Sequence, residues 1–130
     1  IRGAEAVDLL SAMNTGHDGS LSTGHGNSPA DMLSRMETMV LMGMDIPLES
    51  VRRQISSAID IMVHLGRLRD KSRKVLEISE IIGMDNGEIQ TRPLYVFEEE
   101  KEVGGKIVGK LVKKQTLSSV DKLKAAGLYR

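Results

Sequence analysis

His25 is the residue of this chain whose neighbours best suit it for chemistry. It lies in the run Asn14-Thr15-Gly16-His17-Asp18-Gly19-Ser20-Leu21-Ser22-Thr23-Gly24-His25-Gly26-Asn27-Ser28-Pro29. That run holds five hydroxyl residues, two histidines and four glycines. An imidazole in such surroundings donates to an anion, and its charge is tunable near neutral pH. Thr23 and Asn27 are candidates to position it or to hydrogen-bond water. Metal chemistry fits poorly, because the spacing of His17 and His25 matches no common ligand pattern. A serine nucleophile fits poorly too, since the chain has no G-x-S-x-G elbow.

The elements around His25 must hold it at an exposed edge. Ser20-Leu21-Ser22-Thr23 alternates polar and apolar residues, which predicts a short strand near 19–23. Ser28-Pro29-Ala30-Asp31 predicts a helix start, with Ser at the N-cap and Pro at the first helical position. His25 and Asn27 then fall in a loop past a strand's carboxyl end, where open α/β sheets usually bind ligands. A helix N-terminus at that place would offer N–H groups to an anion.

Upstream, Ala6, Leu9, Leu10 and Met13 predict a helix over about 4–14. Met32, Leu33, Met36, Met39 and Val40 predict one over 29–42, and Leu48, Val51, Ile55 and Ala58 one beginning at Pro47. The period then changes. Ile61, Val63 and Leu65 alternate as in a strand, residues 73–84 form a second, and Asp85-Asn86-Gly87 is a hairpin turn. A third strand is expected over 88–97, with Pro93 at an edge or bulge. Glu98-Glu99-Glu100-Lys101-Glu102 is expected to be a charged break, with Gly104-Gly105 behind it. Residues 106–115 make one more strand or hairpin arm, and Ser118 or Ser119 caps a last helix to about Ala126.

Several blocks resemble the secretion ATPase superfamily, the motors of type II and type IV secretion and pilus assembly, and most closely its tight-adherence (Flp pilus) branch. They are Ile1-Arg2-Gly3-Ala4-Glu5-Ala6, Ala12-Met13-Asn14-Thr15-Gly16-His17-Asp18-Gly19-Ser20 and Ser22-Thr23-Gly24-His25-Gly26-Asn27-Ser28-Pro29. Further likeness lies in Ser34 to Val40, Gln54 to Asp60, Glu77 to Met84 and Lys122 to Leu128. The resemblance implies that Ser22, Thr23 and His25 form the family's His box, with His25 facing the γ-phosphate. The family usually has a bulky residue before that histidine and Ala or Thr after it, whereas here both neighbours are glycine. It also places Arg2 near the nucleotide, with a salt bridge to Glu5 or Asp8 as the equal alternative. Arg35 and Glu37 belong to a family block that makes a structural ion pair or a subunit contact.

The fold the resemblance implies is α/β: the C-terminal half of a RecA-like P-loop nucleoside-triphosphatase core, with C-terminal strands, a hairpin and a helix. Residues 1–98 would be the RecA-like part and 99–130 a basic hairpin and helix appendage. The chain contains no G-x-x-x-x-G-K-[S/T], so the phosphate cradle and its lysine are missing. We therefore expect a C-terminal piece of a longer ATPase, inactive by itself, whose parent uses ATP and Mg²⁺. The resemblance implies a hexameric ring on the cytoplasmic face of the inner membrane, working with secretion or pilus platform proteins and not with nucleic acid. The alternatives are a non-enzymatic interaction module and a RecA-like nucleic-acid motor.

Composition sets further bounds. Aromatic residues make up only 2% of the 130, so Leu, Ile, Val and eight Met must fill the core. Cysteine is absent, which excludes disulfides and cysteine-ligated zinc. Net charge is zero but uneven: residues 1–50 carry two basic and seven acidic side chains, and 51–130 carry 16 and 11. Five of the basic residues fall in 67–74 beside one acid, a run that suits a ring neighbour or nucleic acid. With three aromatics in the chain, base stacking has little to work with. Sheet edges left open call for self-association or protective packing.

Overall fold

A computed structural model describes residues 26–118. The expected helix over 4–14, the strand near 19–23 and the last helix lie outside the described residues, apart from Ser118. Within them the chain is α/β. Helix α1 (Pro29–Gly43) and helix α2 (Leu48–Ala58) precede strands β1 (Ile61–Arg67), β2 (Arg73–Asp85), β3 (Glu88–Val103) and β4 (Lys106–Lys113). The strands form one antiparallel sheet in the order β1-β2-β3-β4.

The two helices follow from their apolar stripes. Leu33, Met36 and Val40 of α1 bury against Val51 and Ile55 of α2 and Ile81 of β2. Met39, Ile59, Met62 and Ile89 pack around this cluster. The core therefore sits between the helices and the β2–β3 end of the sheet. Each such side chain taken from water contributes about 1.5–3 kcal/mol. Leu48, expected to point inward, is exposed at the first turn of α2.

Strand β1 has the predicted period with its apolar set turned outward. Ile61, Val63 and Leu65 are 42%, 53% and 62% exposed. The alternate residue Met62 packs on the helical core instead. The register puts Ile61 opposite Glu80 and Val63 opposite Ile78, so these side chains share the sheet face away from the helices.

The β2–β3 turn is as the sequence predicts. Asn86 and Gly87 have φ of 51° and 79°, the two left-handed residues of a tight hairpin. Pro93 lies at a bulge: the register steps from Ile78 opposite Tyr95 to Ser79 opposite Pro93. A missing N–H is tolerated there. The charged run 98–102 is no break. β3 continues through it to Val103, because Lys110 and Lys106 of β4 stand opposite Glu98 and Val103 and extend the ladder. Opposite charges across strands offset the poor strand propensity of glutamate. The sheet is thus continuous across residues 98 and 99.

Beyond β4 the chain turns back under the sheet. Lys114 N–H donates to the Leu94 carbonyl at 2.7 Å. Ser118 then donates to the buried Glu80 carboxylate, from its N–H at 3.1 Å to each oxygen and from its hydroxyl at 2.5 Å.

Candidate functional site

The described part of the polar run is Gly26-Asn27-Ser28-Pro29, which feeds directly into α1. Ser28 is the N-cap: its hydroxyl accepts from Asp31 N–H at 3.0 Å. Asp31 reaches back, and its Oδ2 accepts from Asn27 N–H at 2.8 Å and from Arg35 Nε at 3.0 Å. The Asn27 N–H, and after it Arg35, hold the Asp31 carboxyl below its ordinary pKa. This changes the expected picture of a free helix N-terminus. The anion favoured there by the helix dipole is Asp31 itself. Asn27 is exposed, and its backbone rather than its side chain makes the bond to Asp31.

Gly26 has a packing reason of its own. A Cβ added there would lie 3.1 Å from Met32 N, Cα and Cβ. The segment therefore runs tight against the first turn of α1, and the glycine after His25 is what lets it do so.

Arg35 and Glu37 are not partners of each other. Arg35 pairs with Asp31 one helical turn back, at the surface. Glu37 Oε1 receives Arg52 Nε at 3.0 Å across the α1–α2 interface, with both side chains half-buried. Arg52 Nη1 also donates to the Gly87 carbonyl at 3.0 Å. One guanidinium therefore ties α1, α2 and the β2–β3 turn together. Arg2, Thr23 and His25 lie outside the described residues.

A second polar centre lies at the β1–β2 loop, inside the basic run 67–74. Asp70 Oδ1 accepts from Ser72 N–H at 2.9 Å and from its hydroxyl at 2.5 Å. Its Oδ2 accepts from Ile107 N–H of β4 at 2.8 Å. The Ile107 N–H, then Ser72, hold the Asp70 carboxyl far below the usual carboxylate range. Arg69 forks onto Glu99 of β3, with Nη1 to Oε2 at 2.7 Å and Nη2 to Oε1, and also reaches Glu102 at 3.6 Å. The signal available in sequence was Asp70-Lys71-Ser72, the spacing of an Asx turn. Nothing in sequence pointed to Arg52 as the partner of Glu37, or to Ser118 as that of Glu80. Among the described residues, no group of three or more His, Cys, Asp or Glu is arranged to hold a metal ion.

Residues 1–120 match the family described as Type II/IV secretion system protein. The chain belongs to that family. A Mycobacterium tuberculosis (strain CDC 1551 / Oshkosh) protein named for conjugal transfer is 36% identical over 90 residues, 69% of this chain and 25% of the relative. Conjugal transfer protein TrbB of Rhizobium radiobacter is 33% identical over 103 residues, 79% and 31% of the two chains. Type IV secretion system protein VirB11 of Brucella suis biovar 1 is 34% identical over 68 residues, 50% and 19%. This secretion system protein chain thus spans about a quarter of the length of the curated relatives it matches. No helix among its described residues is long and apolar enough to cross a membrane.

Proposed function

We propose that this chain is part of an ATP-hydrolysing motor that powers type II or type IV protein secretion or pilus assembly, and that it supplies the phosphate-sensing segment. The observation that carries the reading is the family match over residues 1–120. Relatives named for conjugal transfer and type IV secretion support it. The wider fold would be a RecA-like core, with residues 1–98 inside it and 99–130 appended. The motor would be a hexameric ring on the inner face of the membrane, in contact with secretion or pilus platform proteins.

Within that motor His25 donates to the γ-phosphate end of the nucleotide, Thr23 and Asn27 position it or a water, and Arg2 lies close by. Arg35 and Glu37 serve a subunit contact or hold the helices. The described residues do not by themselves fit ATP and Mg²⁺. Asp31 already occupies the start of α1, and no metal-holding cluster is present among them. In this reading the phosphate cradle and metal ligands are supplied elsewhere in the intact protein, and this chain's part is to sense and couple.

ATP turnover by the intact protein tests the reading. Hydrolysis that needs no nucleic acid is expected. Absence of hydrolysis would leave an interaction module. Turnover that appears only with DNA or RNA would point to a nucleic-acid motor.

A further inference from the structure

We propose that the two ends of β2 are the two halves of a contact between successive copies of this chain, with the basic tip of one copy seated on the acidic tip of the next. The proposal deepens the ring reading above and rests on it.

At the β1–β2 end, Arg67 and Arg73 stand directly opposite each other. Like charges so placed destabilise a hairpin. Lys71 and Lys74 add to the same tip, and all four side chains are exposed. None makes an ion pair among the described residues. The other two charged residues of the loop are engaged within the chain. Asp70 is turned onto Ser72 and Ile107, and Arg69 onto Glu99 and Glu102. Those bonds also hold the loop in one shape, so the remaining cations project from a fixed tip.

The other end of β2 repeats the arrangement with the opposite sign. Asp85 and Glu88 are direct partners across the turn, both exposed, with no ion pair among the described residues. Arg52 reaches that turn only through the Gly87 carbonyl, while its Nε is held by Glu37. Twelve steps along β2 separate Arg73 from Asp85, about 40 Å at the usual rise. Screening at physiological salt acts over about 8 Å, so the ends cannot neutralise each other within one copy. A head-to-tail contact offsets both charges at once, and such contacts close into rings when the rotation permits. A nucleic acid on the basic tip would leave the acidic tip without a partner.

Sedimentation velocity of the intact protein, over a range of salt, tests the contact. Arg67→Glu sets a glutamate opposite Arg73, and Glu88→Arg sets an arginine opposite Asp85. Each change therefore favours its own hairpin while lowering the charge of the tip. Each variant is expected to melt at the same or a higher temperature yet self-associate about tenfold more weakly. Rising salt should weaken the unchanged protein in the same direction. Exchanging both ends in one chain, with Arg67, Lys71, Arg73 and Lys74 all changed to Glu and Asp85 and Glu88 to Arg, should restore association.

A ring that persists unchanged in Arg67→Glu and Glu88→Arg overturns the contact alone. An unchanged protein that stays monomeric overturns the contact and the ring together. If Arg67→Glu abolishes binding of a single-stranded oligonucleotide but spares self-association, the tip reads nucleic acid and the proposal fails.

Discussion

Arg52 shows how much a single side chain can hold in this chain. Its fork bridges the Glu37 carboxylate and the Gly87 carbonyl, so it fixes the angle at which α1 and α2 meet the β2–β3 turn. Arg52→Ala leaves a half-buried carboxylate and a carbonyl without their donor, and is expected to cost about 1–3 kcal/mol in urea unfolding. Arg52→Lys should recover only part, because an ammonium lacks the planar fork. Asp70 gives a pH test at the same scale. Its folded-state pKa is depressed, so its contribution is complete above the unfolded value of about 3.9 and is lost as pH falls below that toward the folded value. The Ile107 amide proton, followed by NMR, should therefore titrate with a midpoint well below about 3.9. In Asp70→Asn that titration should vanish. At this scale much of the site was illegible. Ser28, Pro29 and Asp31 announced a capped helix, because capping is local chemistry between residues three apart. Arg52 with Glu37, Arg69 with Glu99 and Asp70 with Ile107 are 15, 30 and 37 residues apart, and nothing in local spacing selects such partners.

The elements were more legible than the faces they present. Both described helices and β1 follow from periods of 3.6 and 2, and Asp85-Asn86-Gly87 marked the β2–β3 hairpin. The error at 98–102 came from reading glutamates as a break, when Lys110 on β4 and Lys114 just past it pair with two of them. The outward set of Ile61, Val63 and Leu65 could not be read from β1 alone, since alternation gives a period and not the side that the helices cover. The helical cluster is the part that a substitution should damage most. Ile55 is fully buried between α1, α2 and Ile81. Ile55→Ala is expected to lower the unfolding free energy by about 2–5 kcal/mol, read by thermal or urea denaturation. A loss under about 1 kcal/mol would mean that the site collapses freely, which the close packing of α2 on α1 argues against.

For the whole molecule, the uneven charge seen in the sequence takes a definite form. The acids of β3 are largely met by Arg69, Lys110 and Lys114. Among the described residues, like charges without an ion pair face each other at both ends of β2, and this is why the assembly is expected to respond to salt and to Arg67→Glu. Family membership places the chain among secretion system proteins, and the proposed function assigns the phosphate-sensing role to the segment that leads into α1. Gly26 itself runs close against Met32 in the first turn of α1. The direct measurement is ATP turnover by the intact protein carrying His25→Ala, read beside nucleotide affinity and melting temperature. Turnover should fall about a hundredfold while affinity and melting hold, as when one charge-stabilising donor is removed. Turnover equal to that of the unchanged protein would contradict His25 as the phosphate sensor.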